Sequence, residues 1–165
     1  TMLNGPILPD FGIYHVWPER GVEAFHPEDR NKIDGWIPSD LVFERFEWDG
    51  KYYHVRYADR VTLRIEPTLW LEIPDEGLRI GDQVEVLSNN MQNDPMVAQI
   101  VDMRFSQIQN AIEYTLEHSE MRIEKQYLVH QLVRLTQREN LRPRDVPAPQ
   151  PKFLGQGDLP AQGID

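Results

Sequence analysis

The sequence predicts a mainly β protein, two small barrels in tandem with one short helix. Three observations carry that reading. Apolar and polar residues alternate over short runs from Leu41 to Ile73, the period-two pattern of half-buried strands. Turn-forming pairs, Asp49-Gly50 and Gly81-Asp82, interrupt those runs. The second half can be laid on the first, run for run, which suggests duplication of one small unit. The units are expected at residues 11–74 and 78–136, with Pro74-Asp75-Glu76-Gly77 as linker.

In the first half, Gly12 to Trp17 reads as a strand, Pro18-Glu19-Arg20-Gly21 as a turn, and Val22 to Phe25 as a returning strand. His26-Pro27-Glu28-Asp29 reads as a helix start, with proline at the first helical position and acids in the first turn. Gly35 and Pro38 keep that helix short. Val42 to Trp48 and Lys51 to Tyr57 form a hairpin about Asp49-Gly50, a pair that favours the type I′ turn. Alternation puts Tyr53, Val55 and Tyr57 on the core face and Tyr52, His54 and Arg56 on the other. Val61, Leu63 and Ile65 face inward in the next strand, and Leu69, Leu71 and Ile73 alternate in the last.

In the second half, Gln83 to Leu87 is a strand, Ser88 to Pro95 a polar loop, and Met96 to Phe105 a long strand. Two readings stay open beyond it. The absence of Gly and Pro between Met96 and Arg142, with Tyr114, Met121, Leu128 and Leu135 at seven-residue intervals, favours an α+β protein with a helical second half. The alternation of Ile112, Tyr114 and Leu116, and of Met121, Ile123 and Tyr127, favours strands at Ala111–Glu117, Met121–Leu128 and Val133–Leu135, with Lys125 misplaced on the inner face. Correspondence with the first half favours strands. Residues 141–165, with prolines 143, 147, 149, 151 and 160, are expected to form a disordered or polyproline-like tail.

Composition narrows the function. There are 27 acidic and 17 basic residues, a formal charge of −10, and this field repels phosphate backbones. The arginines at 134, 138, 142 and 144 are interrupted by Glu139 and Asp145, so no basic patch restores nucleic-acid binding. Without cysteine there is no disulfide, thiolate metal site or cysteine nucleophile. No apolar run approaches the roughly 18 residues of a membrane span, and residues 1–10 lack a signal-peptide pattern. The expectation is a cytoplasmic protein with no nucleic-acid or membrane partner.

His26-Pro27-Glu28-Asp29, Ile37-Pro38, Val42-Phe43, Val55-Arg56-Tyr57 and Arg64 to Trp70 resemble an uncharacterised bacterial family described only as a domain of unknown function. Ile80 to Val84, Ile112 to Leu116 and Tyr127 to Leu132 extend the resemblance over roughly residues 12–135. The last segment is similar to the closing strand, short turn and aliphatic pair of SH3-like barrels, which implies two SH3-like units. The 117–122 turn departs from that pattern in having no glycine. The resemblance implies no activity and no catalytic residue.

Candidate functional residues are few. His15, His26, His54, His118 and His130 do not fall at the spacing of a zinc site. No serine lies in a nucleophile elbow and no glycine-rich loop precedes a helix, so neither catalytic residues nor a cofactor or metal are expected. Twelve of the sixteen aromatic residues precede residue 71, including all four tryptophans. Such a concentration can form a recognition groove. The expected ligand-binding set is Trp36, Trp48, Tyr52, His54, Arg56 and Trp70. Trp48 is expected to pair with Tyr52 across the hairpin, and the Tyr52–His54–Arg56 face to take an anion or peptide carboxylate. The leading expectation is a non-catalytic module for a protein or peptide partner. A small hydrolase is the first alternative, with His54 or His130 and two acids between the barrels. An acidic nucleic-acid mimic, with aligned rows of carboxylates, is the second.

Overall fold

A computed structural model describes residues 7–87 and 96–135. The expected loop at 88–95 and the tail at 141–165 lie outside the described residues. Among the described residues, ten strands form two open, five-stranded antiparallel sheets, of a size and strand number consistent with small barrel-like units. The first sheet has β1 (Asp10–Ile13), β2 (Phe43–Trp48), β3 (Tyr53–Tyr57), β4 (Val61–Ile65) and β5 (Leu71–Ile73), in the spatial order β4-β3-β2-β1-β5. The second has β6 (Gln83–Val86), β7 (Met96–Ser106), β8 (Ala111–His118), β9 (Met121–Tyr127) and β10 (Leu132–Arg134), in the order β10-β6-β7-β8-β9. No helix among the described residues is long and apolar enough to cross a membrane.

The period-two pattern is realised where it was cleanest. Val55 and Tyr57 on β3 and Val61, Leu63 and Ile65 on β4 are buried, and on β8 so are Ile112, Tyr114 and Leu116. The helical reading of the second half is overturned: Ala111–His118 and Met121–Tyr127 form β8 and β9, and among the described residues of this half only Val129–Gln131 make a 3₁₀ turn. Burial of an alternating apolar row outweighs helix propensity here. Lys125, the misfit of the strand reading, is exposed, with its ammonium 5.2 Å from the Tyr127 ring.

The strand expected at Val22–Phe25 is instead a 3₁₀ turn, Gly21–Ala24, closed by the Phe25 N–H on Val22 O at 3.0 Å. Gly21 enters it at φ +64°, a left-handed conformation that glycine accepts readily. Phe25 keeps a single bridge to Ile65 of β4. The expected helix start is met by a 3₁₀ helix, Pro27–Lys32, with Nδ1 of His26 accepting from the Glu28 N–H at 3.0 Å.

The sheets share structure. Before entering β2, the chain pairs with β7: Val42 N–H donates to Met103 O at 3.1 Å and Phe105 N–H to Asp40 O at 2.8 Å. Phe11, Ile13, Val42 and Ile73 of the first half pack in one apolar cluster with Val84, Ile100, Tyr114 and Leu116 of the second. A second cluster, around Phe25, Phe43, Tyr57 and Leu63, is built from first-half residues, with Ile80 packed against it.

Candidate functional site

The six expected binding residues do not form one surface. Trp36 is half-buried, its ring 5.7 Å from Tyr57 and 6.5 Å from Phe43. Tyr52 is buried in the hairpin turn, 5.3 Å from His26. The turn centres on Gly50-Lys51, between Asp49 and Tyr52, because the Asp49 side chain accepts from the N–H groups of Lys51 and Tyr52 at 2.9 and 2.7 Å. Trp48 therefore pairs with Tyr53, not Tyr52, at a ring separation of 4.6 Å.

His54 and Arg56 do share a face, on either side of Phe46, the extra residue of a bulge in β2. Both already hold acids of their own chain. Arg56 Nε donates to Glu44 at 2.7 Å, and His54 Nε2 lies 2.8 Å from Asp49 Oδ2. Hydrogen bonds from the Tyr52 N–H, the His54 imidazole and the Lys51 N–H hold the Asp49 carboxyl well below its usual range. An incoming carboxylate would have to displace these partners.

Trp70 belongs to an inner stack that sequence reasoning missed. Its ring lies 5.1 Å from Tyr14 and 4.7 Å from the Arg45 guanidinium, which also covers Tyr53 at 4.4 Å. Arg45 is 7% exposed and is gripped by both oxygens of Asp10, at 2.9 and 2.6 Å. This bidentate pairing, sandwiched by rings, stabilises a buried charge.

One accessible surface lies where Trp70 leads into β5, which with β4, β9 and β10 is one of the four edge strands among the described residues. The opposite edge strand, β4, is covered: His26 N–H reaches Arg64 O at 3.0 Å, Asp29 accepts from Arg64 N–H at 2.8 Å, and Lys32 Nζ reaches Thr62 O at 3.2 Å. Among the described residues, no hydrogen bond reaches the side of β5 away from β1. Unpaired edges are templates for another strand and are commonly blocked.

Two hollows lie near β5, one before its first residue and one along it. One, of about 350 Å³, is lined by Val16, Trp17, Glu19, Thr68 and Leu69. The other, of about 250 Å³, lies between Leu71–Pro74 and Glu76 on one side and Phe105, Asn110 and Ala111 on the other. Trp17 rests one face on buried Phe25, ring centroids 5.9 Å apart, and is 40% exposed. Leu69 is 50% exposed and holds φ +36°, a left-handed conformation uncommon for any residue but glycine. Backbone strain combined with an apolar side chain in water is typical of a binding position. The signal in the sequence was the row Leu69, Leu71, Ile73, which alternates but starts immediately after Pro67-Thr68.

The cleft between the sheets is smaller, about 130 Å³, and is lined by Phe11, Val42, Glu44, Arg56, Ala58, Arg79, Ile80 and Met103. It contains neither His54 nor His130 and a single acid, itself paired to Arg56. Asp10, Asp29, Asp40, Glu44, Asp75 and Asp102 are each bound to an arginine, so this acidic chain presents mixed charge. Among the described residues, no three His, Asp or Glu side chains converge to hold a metal ion.

No curated protein and no solved structure matches this chain. Residues 3–133 match a family described as a family of unknown function (DUF6960), and on that coverage the chain belongs to it.

Proposed function

We propose that this chain is a non-catalytic protein-binding module that adds an extended segment of a partner to the free edge of β5. The observation that carries the reading is an edge with no partner strand among the described residues, with one apolar-lined hollow before it and another along it. Strand addition uses those two parts together: main-chain hydrogen bonds supply affinity, and hollows for alternate side chains supply selectivity. Leu69 and Leu71, 50% and 40% exposed, lie along the path such a strand would follow. Of the six residues expected from the sequence, Trp70 is the one adjacent to this edge, and it braces the strand from within.

The test is binding of a synthetic ten-residue peptide of alternating valine and threonine, an extended segment without charge. Replacing both Leu69 and Leu71 with serine is expected to weaken binding by about tenfold or more, the loss of two apolar contacts. Replacing both Trp48 and Arg56 with alanine is expected to leave it unchanged. The reverse pattern would return the site to the β2–β3 face.

A further inference from the structure

The hollows beside β5 carry a charge pattern that narrows the partner. Glu19 lines the first, and Glu72 and Glu76 line the second. Among the described residues, no lysine, arginine or histidine lines either hollow. Glu76 accepts a hydrogen bond from the Tyr114 hydroxyl at 2.7 Å. Glu19 and Glu72 are exposed, and among the described residues neither side chain has a hydrogen bond or ion pair. They differ in this from the six acids above, each bound to an arginine. A carboxylate left unpaired within an apolar hollow favours a cation that brings its own apolar stem.

We infer that the segment bound at β5 is basic as well as apolar: an extended stretch of a partner protein in which lysine or arginine alternates with aliphatic residues. This rests on the strand-addition reading. The apolar residues fill the hollows beside Trp17 and Phe105, and the cations meet Glu19 and Glu72. The formal charge of −10 adds a long-range field that speeds the approach of such a segment. The same field opposes a second copy of this chain at that edge, because two copies would bring Glu72 toward Glu72.

The experiment compares three peptides of one length on the full chain, with valine alternating with lysine, threonine or glutamate. The lysine peptide is expected to bind about tenfold more tightly than the threonine peptide at about 0.05 M salt, and the advantage to shrink toward about 0.5 M. The glutamate peptide is expected to bind most weakly. Glu19→Gln and Glu72→Gln are each expected to cost the lysine peptide about threefold, the scale of one exposed ion pair, and to leave the threonine peptide unchanged. Equal binding of the lysine and threonine peptides would overturn the charge inference and leave the edge reading standing. A lysine advantage that survives both glutamine substitutions would also overturn it, by assigning the attraction to net charge alone. If no peptide binds, the edge reading itself falls. Self-association of the chain that Leu71→Lys abolishes would give the edge to a second copy and overturn the inference as well.

Discussion

The Tyr57 hydroxyl and the Asp102 carboxylate meet at the junction of the two sheets. Tyr57, at the end of β3, donates to Asp102 and accepts from the Met103 N–H at 2.8 Å. Asp102 turns inward because β7 carries a bulge between Ile100 and Asp102, and Arg104 Nε holds its other oxygen at 3.0 Å. One phenol thus satisfies a buried N–H and a buried carboxylate on the other sheet. Tyr57→Phe removes both partners at once and is expected to cost about 1–3 kcal/mol, the scale of leaving buried polar groups unpaired. Urea unfolding at neutral pH reads this directly. A loss under about 0.5 kcal/mol would mean the junction contributes little.

Buried phenols also set the alkaline limit. Tyr14, Tyr57 and Tyr114 are each at most 1% exposed. Burial raises the pKa of all three well above 10.0, helped at Tyr57 by Asp102 and at Tyr114 by Glu76. The unfolded chain loses these protons near pH 10 and the folded chain keeps them. Their contribution is therefore complete below pH 10 and falls as pH rises, by up to about 1.4 kcal/mol per unit for each tyrosine. Unfolding free energies between pH 9 and 11 should show that slope, reduced by one tyrosine's share in Tyr114→Phe.

The acid limit is expected to depend on Asp29, whose side chain is 1% exposed. Burial raises its pKa, but hydrogen bonds from the Arg64 guanidinium, the Arg64 N–H and Lys32 together outweigh burial and hold it at about 2, against 3.8 unperturbed. The stability it contributes is present above pH 3.8 and lost as pH falls toward 2, on the order of 2 kcal/mol. Asp29→Asn should lower stability at pH 7 and flatten the pH dependence in that window.

Gly12 is expected to tolerate no side chain. A Cβ there would lie 2.4 Å from Trp70 Cε2 and 2.6 Å from the backbone oxygen of Leu71. Because the second contact is backbone, rotating Trp70 cannot relieve it. Gly12→Ala should cost about 1–3 kcal/mol, as overpacking does. By displacing the start of β5 it should also weaken peptide binding, whereas Tyr57→Phe should leave binding intact.

These residues mark where the sequence could and could not be read. The meander from Val42 to Ile65 was legible because one face of each strand is buried, so polarity reports geometry. The second half was legible through the alternation of Ile112, Tyr114 and Leu116 and its correspondence with the first half, since local signals across 106–135 left helix and strand about even. The Trp48–Tyr53 pairing was not legible, because the Asp49 side chain moves the turn by one residue. Arg45 is buried by Asp10, 35 positions away, a partner no local pattern reveals. That β5 ends its sheet among the described residues was equally hidden: whether a strand ends a sheet depends on what pairs beside it.

Amide hydrogen exchange on the full chain tests binding at the outer edge of β5 most directly. With the valine–lysine peptide bound, exchange should slow at amides within Leu71–Ile73, while β4, already covered, should change little. Protection appearing instead on β2 and β3 around Trp48, His54 and Arg56, with none at β5, would contradict it.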